Sequence, residues 1–299
     1  MSDAVWPTKT RDVLNHHQDS SNWDLIALRE GDVVAANWAK AGVTWLQQIV
    51  VQLIHDGSPD AHAGDRTLWP DWWMDNPAEM AAVVAAVPGR RVFKTHLPAD
   101  ALTISPEARY IYIGRDARDV AWSFYNHVHT YSQWLIDRVN AAPHRDWARD
   151  WPDCSDDIRV FYREWIEKDG HPYWPFWSHV QSWWDLRHLP NVMLLHFEQL
   201  KRDREGQMRR IAAFIGAEPT AAGWPRILEH CSFEWMKANP GRLFHLDAFR
   251  DRGASFINKG VGGRWREVLS PEEIALADDA AAANLSPECA RWLATGEGA

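Results

Sequence analysis

Four short segments place cationic or proton-transferring side chains where the chain is expected to turn. In residues 37–45, NWAKAGVTW, Gly42 lets backbone N–H groups approach an anion, the start of a helix adds partial positive charge, and Lys40 adds a full one. A phosphate or sulfate cradle and an ordinary strand-to-helix turn with a solvated lysine read alike here. A Walker A loop is excluded, because GxxxxGKS/T is absent and the lysine precedes the glycine. In residues 93–98, FKTHLP, His96 titrates near neutrality and can take a proton from a hydroxyl, and Lys94 leaves the same strand face. A lone histidine among 14 would be read as structural; Lys94 and Pro98 beside it at a strand end favour chemistry.

In residues 112–124, YIGRDARDVAWSF, Arg115 opens a turn and Ser123 follows about two helical turns later. The guanidinium forks onto a phosphate and the hydroxyl joins from the helix flank, although an Arg–Asp network with Asp116 and Asp119 would use the same residues. In residues 257–266, INKGVGGRWR, Lys259, Arg264 and Arg266 stand among three glycines, as a basic loop closing on an anion or as a solvated turn. His127 and His129, two apart on a helix, do not face each other, and no metal site is expected.

The elements that must position these groups follow from apolar patterning. Residues 32–38, 91–95, 109–114 and 191–197 read as strands. Helices are expected after Gly42 to near Gly57, over 77–87, from Asp116 onward, over 175–186 and over 205–215 before Gly216. From Met236 to Pro271 glycines interrupt any periodicity, which predicts a long loop of the kind that forms lids or binding segments. Strands alternating with helices predict an α/β fold, a mostly parallel sheet flanked by helices. With no linker or repeat, 1–299 reads as a single domain.

Composition narrows the function. A net charge of −9 argues against a general nucleic-acid binder, so an anionic ligand must be held by a local cluster. No apolar run approaches the ~20 residues of a membrane helix, and three well-separated cysteines without a CxxC pair fit a reducing compartment. A cytoplasmic protein without a membrane partner is expected. The 20 tryptophans, against 6 tyrosines and 10 phenylalanines, are read mainly as core, with some left to line an acceptor pocket.

The segments occur in the order and approximate spacing of the cytosolic-type sulfotransferases, which use 3′-phosphoadenosine 5′-phosphosulfate (PAPS). NWAKAGVTW resembles their YPKSGTTW loop, FKTHLP their KTHLP segment, and YIGRDARDVAWSF their arginine-to-serine phosphate motif. CSFEWMKANP, residues 231–240, is similar to TSFxxMKxNP, and FINKGVGGRW to FxRKGxxGDW. Together they cover residues 37–266, most of the chain.

The resemblance implies a P-loop-kinase-like sulfotransferase architecture and sulfuryl transfer to a hydroxyl or amine of a small, possibly aromatic acceptor. It implies that Lys40, Ala41, Gly42, Val43, Thr44 and Trp45 bind the 5′-phosphosulfate and adenine side. Arg115, Ser123 and the loop of Phe256, Ile257, Asn258, Lys259 and Gly260 would hold the 3′-phosphate, and Cys231, Ser232, Phe233 and Met236 would meet the adenine region. His96 would be the general base, with Lys40 and Lys94 stabilising charge. The chain departs from the family at Val43 (threonine), Phe197 (tyrosine), Asn258 (arginine) and Arg264 (aspartate), which bears on the contact roles of Phe197 and Asn258. Residues 266–275 lack the valine and final glutamate of the family's dimer motif KxxxTVxxxE, so a monomer or a dimer through another surface is expected. A P-loop nucleotide kinase shares the architecture but requires Mg²⁺ and a lysine after the glycine. A non-catalytic nucleotide-binding protein would need neither Lys40 nor His96.

Overall fold

Period-two alternation within short apolar runs produces a sheet whose two faces are both covered. The computed structural model describes residues 6–73, 76–142 and 150–298. Strands β1 (Val33–Ala36), β2 (Thr67–Leu68), β3 (Val92–Thr95), β4 (Arg109–Gly114) and β5 (Val192–His196) form one parallel sheet in the order β2-β3-β1-β4-β5. Val34, Ala36, Phe93, Tyr110, Tyr112 and Leu194 enter the core on one face. Their neighbours Val33, Ala35, Val92, Ile111, Ile113 and Leu195 enter the core on the other. Helices Val43–Ile54 and Arg204–Ile215 cover the second face; Ala117–Val128, Ile158–Glu167 and Trp177–Asp185 cover the first.

Tryptophan mass fills the first face, as composition suggested. Trp38, Trp165, Trp183, Trp184 and Trp292 are fully buried. Trp38 meets Phe124, Trp165 and Phe176 edge-on and donates Nε1–H to the Trp174 carbonyl at 3.1 Å. At the amino ends of β1 and β3, Arg91 grips Asp32 with two hydrogen bonds, Nε to Oδ1 at 2.9 Å and Nη2 to Oδ2 at 2.5 Å. Both side chains are buried, so removing either alone would strand a charge at a cost of about 3–5 kcal/mol.

The strand order reverses direction at β1, which pairs with β3 on one side and β4 on the other. The carboxyl ends flanking this switch point are where open α/β sheets hold ligands. Each strand ends beside a side chain of interest: Trp69 after β2, His96 after β3, Lys40 beyond β1, Arg115 after β4 and Phe197 after β5.

Several boundaries differ from the sequence reading. Phe197 does not end a strand; His196 caps a short helix, Phe197–Arg202, through its side chain. The helix after Arg115 runs over Ala117–Val128 with Asp116 as its cap, and the stretch after Met236 is a helix end followed by 3₁₀ turns at Pro240–Arg242, Leu246–Ala248 and Arg264–Glu267. Strand β2 and the short helix Trp224–His230 carry no clear periodic signal, whereas the amphipathic helices Gln133–Asn140, Ile158–Glu167 and Pro287–Thr295 carry one that the sequence reading passed over; in Ile158–Glu167, Phe161, Tyr162, Trp165 and Ile166 form the buried face. Of the tryptophans left to line an acceptor pocket, those in the segment from Tyr131 to Trp184 include one, Trp147, that lies outside the described residues. Residues 266–275 close a 3₁₀ turn and open the helix Pro271–Asn284, where Ser270 and Glu273 cap each other. The three cysteines are unpaired, and among the described residues no helix is long and apolar enough to cross a membrane.

Gly114, the last residue of β4, has no room for a side chain, because a Cβ there would overlap the indole of Trp292. Gly114→Ala should therefore destabilise the protein by ~1–3 kcal/mol through overpacking. Urea unfolding monitored by tryptophan fluorescence checks this.

Candidate active site

The strand ends open into one cleft of about 1600 Å³. That exceeds the roughly 300–1,000 Å³ usual for a single small-molecule site and leaves room for two reactants. Its walls include Lys40, Gly42, Val43, Thr44, Trp45, Lys94, His96, Arg115, Ser123, Phe197, Phe233, Met236 and the loop Phe256, Ile257, Asn258, Lys259 and Gly260. Of the residues predicted from sequence, Ala41, Cys231, Ser232 and Arg266 are not on these walls; Arg266 lies over the Trp265 ring at 4.2 Å. Ala41 is buried, the Cys231 carbonyl accepts Trp45 Nε1–H at 2.9 Å, and Ser232 caps the helix Phe233–Ala238.

The turn after β1 is built to receive an anion. Lys40 has φ 69°, a left-handed conformation that costs a side-chain-bearing residue about 1–3 kcal/mol and is characteristic of functional turns. Gly42 follows at φ 120°, and a Cβ on it would meet Phe197 Cδ2 at 2.8 Å and Ile113 Cδ1 at 3.1 Å. No side chain caps the helix that starts at Val43, and although the Trp45 N–H bonds the Gly42 carbonyl at 3.1 Å, the N–H groups of Val43 and Thr44 and the positive dipole end face the cleft uncapped. Trp45 stands at the side, fixed by its bond to Cys231 and edge-on to Phe197 at 5.7 Å.

Three cations converge on this turn, each over an aromatic ring. Lys40 Nζ lies 3.9 Å from the Phe256 centroid, Lys94 Nζ 3.5 Å from that of Trp69, and Arg115 Cζ 4.2 Å from that of Phe197. Burial, with Lys94 and Arg115 nearby, lowers the pKa of Lys40 to about 7. Burial lowers that of Lys94 to about 8, opposed by the charge of Asp71. Burial also pulls Arg115 down, against Asp119, Glu198 and Asp116, and its buried Nε has no hydrogen-bond partner. A glycine cradle that excludes a Cβ and a buried guanidinium with an unused donor fit a phosphate-bearing ligand.

The Arg–Asp alternative for this turn resolves into separate contacts. Asp116 pairs with Arg118 at 2.7 Å, and Asp119 accepts the Gly263 N–H at 2.8 Å, tying the glycine-rich loop to the helix. Lys237 Nζ donates to the Asn258 carbonyl at 3.2 Å, and Phe256 packs on Phe244 at 4.1 Å.

His96 sits where the cationic half meets an aromatic half. Its Nδ1 donates to the Asn37 carbonyl at 3.1 Å, which leaves Nε2 as the bare, proton-accepting nitrogen. Burial, then Lys94, push its pKa well below the usual value, so the ring is neutral at pH 7. His179 Nε2 donates to the His96 carbonyl at 3.0 Å. Beyond it lie Trp69 and Trp72, stacked at 4.4 Å, with Met80, Leu135 and Phe249 farther along the wall. Tyr131, Tyr173 and His17 also line this half, joined by hydrogen bonds in that order. His127 faces the cleft whereas His129 bonds the Tyr125 carbonyl at 2.7 Å. Sequence reading missed His17 and Asp71, which no motif marks.

A parallel α/β sheet with a cation-lined glycine turn at its switch point and a neutral histidine beside it fits the class of group-transfer enzymes that act on anionic donors. The sequence model of the sulfotransferase domain matches residues 30–287, and the chain belongs to that family, as a PAPS-dependent sulfotransferase. It is 29% identical over 266 residues to sulfotransferase 1B1 of Mus musculus, covering 83% of this chain and 82% of that protein. It is 25% identical over 286 residues to the glycolipid sulfotransferase of Mycobacterium bovis, covering 85% of each. Among solved structures, retinol dehydratase in complex with retinol and PAP superposes with a TM-score of 0.70 at 24% identity, over 89% of this chain and 84% of that one. Mouse sulfotransferase SULT7A1 complexed with PAP gives 0.68 at 21% identity, over 91% and 90%. The kinase and non-catalytic alternatives give way to this membership.

An anion settling against Lys40 favours its charged form, so binding takes up a proton wherever free Lys40 is neutral. Affinity for adenosine 3′,5′-bisphosphate should thus fall as pH rises above about 7, with a slope of up to about tenfold per pH unit. Calorimetry across pH 6.5–9 in buffers of different ionisation enthalpy reads both the affinity and the proton uptake.

Proposed function

We propose that this protein transfers the sulfuryl group of PAPS to the hydroxyl or amine of a small acceptor with an apolar, largely aromatic body, His96 acting as the base. The observation that carries this reading is the Nδ1 bond of His96 to Asn37, which aims a neutral, proton-accepting Nε2 at the junction of the two halves of the cleft. PAPS supplies an activated sulfuryl group. Lys40, the Gly42 turn, Val43, Thr44 and Trp45 hold its phosphosulfate and adenine side; Arg115, Ser123 and residues 256–260 hold the 3′-phosphate. Phe233 and Met236 form the base pocket, and the neighbouring Cys231 and Ser232 shape it through the backbone.

The acceptor hydroxyl gives its proton to His96 Nε2 as its oxygen bonds to sulfur, and the bond from sulfur to the phosphate oxygen breaks with its electrons left on the nucleotide. Lys40 and Lys94 present positive charge to that oxygen and to the transferring group, so catalysis rests on positioning and electrostatics. The acceptor enters between Trp69, Trp72, Tyr131 and Tyr173. The enzyme works as a monomer or as a dimer through a surface other than residues 266–275.

His96→Ala should reduce turnover by about 100-fold or more while leaving adenosine 3′,5′-bisphosphate affinity within about twofold. Radiolabelled-donor assays and calorimetry check the pair, and near-normal turnover would remove His96 from the chemistry. Arg115→Ala should erase most of the preference for adenosine 3′,5′-bisphosphate over AMP, at least about tenfold in relative affinity. Equal preference before and after the substitution would move the 3′-phosphate elsewhere.

A further inference from the structure

Behind the cationic half of the cleft, one carboxylate connects the groups that the reaction uses. Asp71 follows β2 and is fully buried. Its Oδ2 accepts the indole N–H of Trp69 at 3.1 Å and the backbone N–H of His96 at 3.3 Å, and its Oδ1 accepts the indole N–H of Trp23 at 3.0 Å. Trp69 carries the Lys94 ammonium on its face at 3.5 Å and meets the His96 ring edge-on at 5.5 Å. The segment itself is pinned: the Asp71 carbonyl accepts Asp19 N–H at 2.9 Å, and Asn22 Nδ2 donates to the Pro70 carbonyl at 2.9 Å.

We infer that Asp71 is the positioning residue of this active site, acting through Trp69, Lys94 and the backbone of His96 to hold base and lysine in one arrangement. The inference rests on the sulfuryl-transfer roles proposed for Lys94 and His96. Asp71 itself does not line the cleft and touches no reacting atom; it acts from behind the wall residues Trp69 and His96.

The charge around Lys94 gives the carboxylate its second effect. Lys40 comes from the β1 turn, His96 from the end of its own strand, His17 from the amino-terminal segment and His127 from the helix Ala117–Val128; each repels a charged Lys94 when it carries a proton. The opposing charge on Lys94 is that of Asp71. Burial raises the pKa of Asp71, while its bonds from Trp23, Trp69, His96 and Thr95 all favour the ionised form. Asp71 thus serves geometry and charge through the same two oxygens. A neutral amide in its place loses the charge and presents an N–H₂ to donors that need an acceptor.

The experiment is Asp71→Asn in the full chain. Saturating kcat should fall about tenfold or more, while the affinity for adenosine 3′,5′-bisphosphate stays within about twofold, because that product lacks the sulfuryl group facing Lys94. The pKa of Lys94, read by pH-dependent amine labelling and mass spectrometry, should fall by about one pH unit, and that of Lys40 should not. This labelling needs no turnover, so it decides the role of Asp71 even if the wild type were to sulfate none of the acceptors tried, a result that would count against the proposed function alone. An unchanged kcat with an unchanged Lys94 titration would overturn the inference, as would equal losses of kcat and nucleotide affinity, which mark a merely structural role. Should Asp71→Asn fail to fold, Trp69→Phe keeps a ring beneath Lys94 but removes the N–H on Oδ2. It should lower kcat about threefold to tenfold at constant nucleotide affinity, and an unchanged kcat would overturn the inference.

Discussion

Repulsion among Lys40, Lys94 and Arg115 in a partly dry cleft is the constraint around which the rest of this structure is arranged. Like charges a few ångströms apart cost little in water, but several kcal/mol where the effective dielectric is lower. Full neutralisation by carboxylates would remove the field that an anionic nucleotide needs. The fold instead rests each cation on an aromatic face, Phe256, Trp69 or Phe197, which offers attraction without a formal negative charge. Burial is the main cause of the lowered pKa values of the two lysines, and at Lys40 the charges of Lys94 and Arg115 add to it.

The sheet explains how such groups can be held still. Parallel strands buried on both faces end together at the switch point, so each cation or base stands one to a few residues beyond a rigid strand end. The buried Arg91–Asp32 pair locks β1 to β3 at the opposite end of the same strands, and these are the strands that deliver Lys40 and His96. Precision near the ligand thus depends on order at the far end of the sheet.

The sequence made four of the five strands legible, because β1, β3, β4 and β5 are apolar runs bounded by turn residues. It also marked residues that line the cleft, Lys40, Lys94, His96 and Arg115, because lysine, histidine and arginine stand at or just beyond those boundaries. What escaped were features that exist only through distant contacts. Strand β2 has two residues, too few for a pattern, and forms because β3 offers it an edge. Asp71 reads as one acid among tryptophans until Trp23, 48 positions away, and His96, 25 positions away, close on its oxygens. Phe197 read as the end of a strand because apolar composition does not distinguish a last strand residue from a first helical one. The cap that decides it is the side chain of His196 accepting the Glu198 N–H at 3.3 Å.

The departures from the family pattern take on physical meaning in this setting. Phe197 lacks a hydroxyl, but its ring lies under Arg115, closes against Trp45 and fills the space that a Cβ on Gly42 would need. It contributes shape and a π face where a tyrosine would add a hydrogen bond. Asn258 carries no charge, yet Lys237 holds its carbonyl in place, and the adjoining Lys259 lines the same cleft. Arg264, where the family has an acid, lies over Trp122 at 5.6 Å and also lines the cleft. Positive charge has therefore been moved along the glycine-rich loop rather than lost. Because Asp119 anchors that loop at Gly263, the relocated charge stays on the wall of the cleft. Such a loop tolerates exchange of individual residues while the cleft keeps its overall sign, which is the property that a dianionic phosphate responds to most strongly.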